Sequence, residues 1–391
     1  MNWVRILRGT PLAAVLLFGL IASWPGTGVA GPREQAKRMH DRLVGVPPSE
    51  AVLGSMQSSI ENDADPVAAA YTAMENPIFY ISSLKNFATP WTNVPQTVFA
   101  DLNDYTATVI GIIRDDVPFD QVLYADIVYT GASGSYSQTD NLHYQQLEQN
   151  RADLSDPSVL VRRLQSTLPG SQLPAAATAG VLTTRAAGEA FFSAGTNRRM
   201  WRFTAMNFLC RDMEQLNDIT RPADRIRQDI GRSPGGDSRI FHNTCVGCHS
   251  GMDPLSGAYA YFEWDATAGR VTYTPGNVTD KHLINANTYP GGYVTIDDSW
   301  VNLWRAGPNS SLDWRGPAAS GNGMKSLGVE VSASRAFSEC QVEKVFRRVC
   351  LRAPESVADR AAVQSIADDF EAGNRSMKLV FAETAAFCMG N

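Results

Sequence analysis

Hydrophobic residues recur at intervals of three and four along much of the chain, and this is the spacing of one face of an α-helix. The clearest run covers residues 98–113, where Phe99, Leu102, Tyr105 and Val109 share one stripe. Weaker runs predict further helices over residues 34–43, 66–74, 198–216, 332–351, 355–370 and 376–387. The pattern therefore predicts a mainly α-helical protein.

Capping and helix-breaking residues indicate where some of these helices begin and end. Gly45 and the prolines after it end the first helix, and Asp65 is placed to cap a helix whose first residue is Pro66. Residues 130–150 are rich in Gly, Ser, Asn and Gln, so we expect a long loop there. Residues 265–320 are rich in Gly, Thr, Asn and Pro, so we expect loops and short β hairpins.

A small, uncharged stretch at residues 169–177 is the best internal boundary. It predicts a helical domain over residues 31–170 and a second, loop-rich α-helical domain with short β hairpins over residues 171–391. A chain of 391 residues has room for two domains, each with its own core.

The first thirty residues have the pattern of an export signal. Arg5 and Arg8 precede an uncharged apolar run over residues 11–24, and the small residues Gly28 and Ala30 suit cleavage before Gly31. An uncleaved anchor helix is the alternative, but the run is shorter than the ~20 residues that span a bilayer. We therefore predict a signal peptide over residues 1–30 and a periplasmic or extracellular protein that is not an integral membrane protein after cleavage.

Charge narrows the choice of partner. The chain has 34 Lys and Arg residues against 40 Asp and Glu residues, a formal net charge of -6. Because nothing offsets repulsion from phosphates, this balance argues against nucleic acid or an anionic membrane as a bulk partner.

Two of the six cysteines carry the strongest chemical signal. Cys245, Cys248 and His249 form a C-x-x-C-H motif, which is the attachment signature of a c-type haem. Two thiols one helical turn apart lie on one face and can reach the two haem vinyl groups, while the histidine lies under the iron as its proximal ligand. A zinc site would need a second ligand pair, and a thioredoxin-like redox pair would follow a strand; the sequence shows neither pattern. We therefore expect haem c, with its iron, as cofactor.

The other four cysteines suggest disulfides, as expected in an exported chain. Cys340 and Cys350 lie ten residues apart on one predicted helix, roughly 15 Å along its axis, so they cannot bridge each other. Two pairings remain: Cys210–Cys340 with Cys350–Cys388, or Cys210–Cys350 with Cys340–Cys388. Four buried free thiols are the third possibility.

The sixth iron ligand is open at this point. Met324 is the first candidate, because it lies in a predicted loop downstream of the haem motif and just before a helix. His282 is the second candidate, and an open position or water is the third. Met252 follows His249 too closely to reach the opposite face of the macrocycle, and His242 suits packing on the proximal side.

The motif and its flanks resemble the planctomycete-type cytochrome families of unknown function. Those families carry C-x-x-C-H followed shortly by Asp-Pro, here Asp253-Pro254, and then an aromatic and acidic segment, here residues 261–265. Weaker similarity covers the rest of residues 97–391, and the spacing between Asp253 and Arg270 departs from the family pattern. The resemblance implies haem binding and electron transfer in an exported protein.

Three functions follow from these expectations. The first is a single-haem c-type cytochrome with a cytochrome c-like haem domain, transferring electrons to a redox partner that its acidity suggests is basic-faced. The second is a peroxidase- or oxygenase-type haem enzyme with an open distal site, for which His282, Glu263 and Asp265 are candidate acid–base groups. The third is a surface binding module in which the haem is structural.

Overall fold

The computed structural model of the chain describes residues 30–192 and 196–390. Residues 1–29 of the predicted signal peptide lie outside these ranges. Helices dominate the described residues, and the strands form short antiparallel pairs, which confirms the predicted mainly α fold with short β hairpins.

The helices and strands are named in chain order. The helices are α1 Pro32–Val44, α2 Glu50–Glu61, α3 Pro66–Met74, α4 Lys85–Ala88, α5 Asp104–Arg114, α6 Leu142–Gln149, α7 Arg185–Ala187, α8 Arg198–Phe208, α9 Ser238–Ile240, α10 Val246–Ser256, α11 Gly323–Ser332, α12 Arg335–Cys350, α13 Val357–Ala372 and α14 Met377–Cys388. The strand pairs are β1 Val128–Gly131 with β2 Leu160–Arg163, β3 Phe262–Asp265 with β4 Arg270–Tyr273, and β5 Ser299–Val301 with β6 Ser320–Asn322.

The two helix boundaries predicted from capping residues are confirmed. Gly45 ends α1 in the left-handed conformation (φ 84°), which glycine adopts without a Cβ penalty. Asp65 accepts a hydrogen bond from the backbone N–H of Ala68 at 2.9 Å, and Pro66 is the first residue of α3. Local chemistry therefore determines these two ends.

Two predicted segments were wrong in extent. The helix expected over residues 98–113 begins at Asp104, because the extended Asn103 caps it by accepting a hydrogen bond from Thr106 N–H at 2.9 Å. Phe99, placed on its apolar stripe, is instead 94% exposed. The loop expected over residues 130–150 contains the end of β1 and all of α6.

The helix expected over residues 198–216 also ends early, at Phe208. Cys210 follows with a positive φ of 52°, a conformation that no residue inside a right-handed helix adopts, and it forms a disulfide with Cys340. The helical periodicity of this segment shows neither the left-handed residue nor the crosslink that follows α8.

The buried apolar core runs without a break across residue 170, the boundary predicted from the sequence. Helix α14 packs against α1 and α3, and the ring of Phe381 lies 5.2 Å from Phe79 and 5.3 Å from Phe87 between centroids. Lys344 on α12 places its Nζ 3.0 Å from the ring centroid of Trp91. The first and last parts of the chain thus share one core.

The disulfides resolve the pairing that the sequence left open. Cys210 bonds to Cys340, and Cys350 bonds to Cys388, with Cα–Cα distances of 5.3 and 5.5 Å. As predicted, Cys340 and Cys350 lie on one helix and do not bridge each other. Such bonds are typical of proteins in an oxidising compartment outside the cytoplasm.

No helix within residues 30–192 and 196–390 is long and apolar enough to cross a membrane.

Replacing Phe381 tests whether the shared core stabilises the fold. Phe381→Ala should lower the free energy of unfolding by about 3–5 kcal/mol, because it removes a buried ring and leaves a cavity between α14 and the segment of Phe79 and Phe87. Denaturant unfolding monitored by circular dichroism measures the change. Phe99→Ala is the matched control and should change stability by no more than about 0.5 kcal/mol. Equal effects of the two variants would contradict the described packing.

Candidate haem-attachment site

The C-x-x-C-H residues lie on one continuous helical segment. A π-helical turn at Phe241–Cys245 runs directly into α10, and Cys245 keeps right-handed helical angles at the junction. Cys248 and His249 follow on the first turn of α10. The two thiols therefore stand one helical turn apart, as the sequence predicted.

Neither of these thiols is paired. Cys245 and Cys248 are both half-buried and free, in contrast to the other four cysteines. Cys245 packs against a small apolar cluster of Ile226, Phe241 and Val246, which is separate from the main core. Burial raises the pKa of the Cys248 thiol, so this side chain stays protonated near neutral pH.

Two glycines let neighbouring segments approach α10 closely. A Cβ on Gly247 would lie 1.5 Å from Asn217 Oδ1, and a Cβ on Gly251 would lie 2.0 Å from the indole of Trp304. Asp218 N–H also donates a hydrogen bond to Gly247 C=O at 2.8 Å. These contacts hold the motif helix against the rest of the chain.

His249 is oriented by a carboxylate one helical turn away. Its Nδ1 lies 3.0 Å from Asp253 Oδ1, and the imidazole keeps 18% of its side-chain surface exposed. Because the ionised carboxylate only accepts hydrogen bonds, Nδ1 carries the proton and Nε2 is the nitrogen available to a metal. This is the arrangement expected of a histidine that binds a metal through Nε2.

Asp253 is fully buried and is kept charged by its neighbours. Arg198 donates to both carboxylate oxygens, from Nε at 2.6 Å and from Nη2 at 2.9 Å, and Arg227 N–H donates to Oδ2 at 3.1 Å. Burial by itself disfavours the carboxylate, but the charge of Arg198 and the hydrogen bonds from His249 and Arg198 outweigh it and hold the Asp253 pKa well below its usual range.

A second carboxylate shares the same arginine. Arg198 donates to Asp229 from Nη1 at 2.5 Å and from Nη2 at 2.8 Å. Arg227 is also buried beside this group, where burial lowers its pKa to about 10, and it donates from Nη1 to Thr196 C=O at 3.0 Å. The side of His249 that faces Asp253 is therefore backed by a buried network of two arginines and two aspartates.

Met324 lies in a helix, and the prediction of a loop at this position was wrong. Gly323 follows the end of β6 with a φ of 73°, and α11 begins at that residue, so Met324 is its second residue and only 1% exposed. Helix α11 packs on the 3-10 turns Phe119–Leu123 and Gly257–Tyr259. Met324 belongs to the main core, whereas Cys245 packs against the separate small cluster.

His282 lies beside the network that supports His249. Its Nε2 is 3.2 Å from Asn197 Nδ2, and Asn197 immediately precedes Arg198. Burial, with the charges of Arg227 and other nearby cations, holds the His282 pKa well below its usual range, so the ring is neutral. Its buried Nδ1 has no hydrogen-bond partner among the described residues.

The other candidate acid–base groups are engaged in the β3–β4 hairpin. Glu263 pairs with Lys281 at 2.5 Å. Asp265 accepts hydrogen bonds from the backbone N–H groups of Thr267 and Ala268, both at 2.9 Å. These contacts give both carboxylates structural roles.

The residues present fit a haem better than a bare metal ion. In the described part of the chain, no three His, Cys, Asp or Glu side chains converge as a metal site would require. A porphyrin supplies four nitrogens itself and needs only an axial donor and thiols from the protein. Apolar side chains are also exposed around the motif: Ile240 is 43% exposed and Tyr289 is 38% exposed. The guanidinium of Arg232 stacks on the rings of Phe241 and Tyr289, with its central carbon 4.8 and 4.2 Å from the two ring centroids.

Sequence reasoning found the thiols and the histidine but missed Asp253, Arg198 and Asp229 as parts of the site. The spacing of four residues between His249 and Asp253 on a predicted helix was a usable signal. No sequence signal joins Arg198 and Asp229 to them, since these residues lie 55 and 24 positions away from Asp253.

Comparisons of the chain with protein-family models, with curated proteins and with solved structures found no match. The functional argument therefore depends on the site itself.

Counting reactive thiols tests the described cysteine states. In protein produced without haem and denatured without reductant, two thiols should react with a maleimide, because only Cys245 and Cys248 are free. After reduction, all six cysteines should react. Cys248→Ser should leave one reactive thiol in the unreduced sample. Mass spectrometry of the labelled protein gives the count, and no reactive thiol before reduction would contradict the free pair.

Proposed function

We propose that this chain is an exported c-type cytochrome that binds one haem covalently and transfers electrons in the periplasm or outside the cell. The observation that carries the proposal is the set of free Cys245 and Cys248 thiols on one helical turn with His249, whose Nδ1 is held by Asp253. The other cysteines are committed to disulfides, so this pair alone remains for attachment within the described residues.

The thiols would attach the macrocycle by addition. The S–H of each cysteine adds across one vinyl double bond, so that sulfur bonds to one carbon and hydrogen to the other, with no leaving group and no external oxidant. This reaction requires thiols rather than a disulfide. The free state of Cys245 and Cys248 supports it.

His249 would be the proximal ligand through Nε2. The haem supplies an iron that accepts and releases one electron. Asp253 keeps the proton on Nδ1, fixes the ring orientation and raises the donor strength of the imidazole. Burial of Asp253 and its two bonds from Arg198 keep this support rigid.

The surrounding structure disfavours the other uses of a C-x-x-C motif. A protein-only zinc site would need further donors, and the described residues bring no such group together. A thioredoxin-like pair would follow directly on a strand, but here the motif begins at the last residue of a π-helical turn that follows the short helix α9. Both observations support haem attachment.

A haem enzyme is the second candidate, and one observation favours it. A histidine hydrogen-bonded to a buried carboxylate is a stronger donor than one bonded to a backbone carbonyl, and a stronger donor favours oxidised iron. Such a site would keep the position opposite His249 open for a substrate. The electron-transfer proposal instead fills that position with a sixth ligand. Met324 and His282 are the candidates from the sequence; Met324 is buried in the main core, and His282 lies beside the network that supports His249.

Carbon monoxide binding separates these two candidates. An electron-transfer protein with a sixth ligand should leave the visible spectrum of the reduced protein unchanged when carbon monoxide is added at neutral pH. If Met324 is that ligand, Met324→Leu should permit binding while conserving core volume. Binding to the unmodified protein would favour the enzyme and contradict a sixth ligand from the protein.

The acidic charge of the chain supports a basic-faced redox partner. With a net charge of -6, long-range attraction would speed encounter with a positively charged surface. The arginines next to the motif helix are largely neutralised by neighbours, as in the Arg198 network and the pair of Arg221 with Asp218 at 3.2 Å.

The visible spectrum of the matured protein tests the haem assignment. The reduced-minus-oxidised spectrum should show c-type bands, and the haem should stay attached after denaturation. Replacing both cysteines (Cys245→Ser with Cys248→Ser) should abolish this attachment, and His249→Ala should change the spectrum because the axial nitrogen is lost. His242→Ala, an exposed histidine seven residues before His249, is the matched control and should leave the spectrum unchanged. Matured protein without haem bands would refute the proposal.

A further inference from the structure

We propose that Arg198 is a positioning residue that sets the donor strength of His249 through Asp253, and that Asp229 regulates this effect by competing for the same guanidinium. The inference rests on the proposed function, since it concerns the proximal ligand of the haem. It assigns a role to two residues that do not touch the haem-binding motif directly.

A continuous chain of hydrogen bonds runs from His249 through Asp253 and Arg198 to Asp229. His249 Nδ1 meets Asp253 Oδ1 at 3.0 Å, and Arg198 Nε meets the same oxygen at 2.6 Å. Arg198 Nη2 is shared between Asp253 Oδ2 at 2.9 Å and Asp229 Oδ1 at 2.8 Å. Arg198 Nη1 donates to Asp229 alone, at 2.5 Å. One guanidinium therefore divides its donors between two carboxylates.

This division determines how strongly Asp253 accepts the hydrogen bond from His249 Nδ1–H. A carboxylate that accepts two charge-assisted hydrogen bonds from arginine has less electron density to share with the Nδ1–H of the histidine. Each bond that Arg198 moves from Asp253 to Asp229 strengthens the hydrogen bond from His249 to Asp253. A stronger bond makes Nε2 a better donor, and a better donor stabilises ferric over ferrous iron.

The position of Arg198 in the fold supports a dedicated role. Arg198 is the first residue of α8, where the helix dipole disfavours a positive charge, so the two carboxylates must offset this cost. Asn197, with a φ of 60°, fixes that helix start by donating from Nδ2 to the backbone carbonyls of Tyr259 and Phe262 at 3.1 and 3.0 Å. These carbonyls lie just beyond α10. The fixed start of α8 thus keeps the Arg198 guanidinium within hydrogen-bond distance of the Asp253 carboxylate.

Asp253, Asp229 and Arg198 are all largely buried, which strengthens the electrostatic coupling among them. The side chain of Asp253 is 0% exposed, that of Asp229 is 11% exposed and that of Arg198 is 17% exposed. Water therefore screens these interactions little, and a change at Asp229 reaches His249 through Arg198. Asp229 is the more exposed carboxylate, so it can be altered with less risk to folding.

The experiment compares two substitutions that should act in opposite directions on the full chain matured with haem. Arg198→Lys keeps the charge but loses the two-pronged donor, so Asp253 accepts the hydrogen bond from His249 Nδ1–H more strongly and the midpoint potential should fall. Asp229→Asn releases Arg198 to Asp253, so the potential should rise. A tenfold change in the one-electron equilibrium corresponds to about 59 mV, which is the scale expected for either variant.

A second arginine–aspartate pair, whose arginine also lies on α8, controls for simple changes in charge. Arg202 lies one turn further along α8 and binds Asp212 bidentately at 2.7 and 2.6 Å. Arg202→Lys and Asp212→Asn repeat the same chemistry there and should shift the potential much less. The proton resonance of His249 Nδ1–H should move in opposite directions in the two Arg198–Asp229 variants and stay in place in the controls.

The outcomes separate this inference from the proposed function. If the matured wild-type protein has no covalently bound haem, both are overturned. If haem is attached but Arg198→Lys and Asp229→Asn shift the potential no more than the control pair, the inference alone is overturned. Asp253→Asn adds a further check, because in that background the shift caused by Asp229→Asn should shrink to the size of the Asp212→Asn control. If Arg198→Lys fails to fold, Asp229→Asn and its control decide the question.

Discussion

The buried carboxylate of Asp253 is the group on which the candidate site depends. It joins three parts of the chain that are distant in sequence: α10 through His249, α8 through Arg198, and the segment before α9 through the backbone of Arg227. An isolated charge at this depth would be strongly unfavourable, and the contacts with the arginine and the histidine offset the cost of burying the carboxylate. The same contacts that make its burial tolerable therefore orient His249.

The rest of the fold brings these parts together and holds them. Helix α8 is tied to α12 by the Cys210–Cys340 disulfide, and α12 is tied to α14 by Cys350–Cys388. Helix α14 in turn packs on α1 and α3 across one continuous core. A site on α8 and α10 is thus supported by helices from both ends of the chain, which explains how residues 31–170 contribute to a site they do not form.

Much of the fold could be predicted because its signals are local. The cap at Asp65, the left-handed end at Gly45 and the long helix through Cys340 and Cys350 each follow from a few neighbouring residues. Errors arose where distant contacts or side-chain capping changed a local pattern. The helix through Val109 begins late because Asn103 caps it, and Met324 lies inside a helix because Gly323 turns the chain directly into α11.

The sequence by itself determined the chemistry of the motif: two thiols one helical turn apart and a histidine beside them, because residue type and spacing decide which groups share a helix face. Only the tertiary structure decided which cysteines pair and which stay free. It also decided that Asp253, Arg198 and Asp229 back the histidine, because these contacts join residues up to 55 positions apart. Burial and long-range pairing are properties of the packed chain, and no local pattern encodes them.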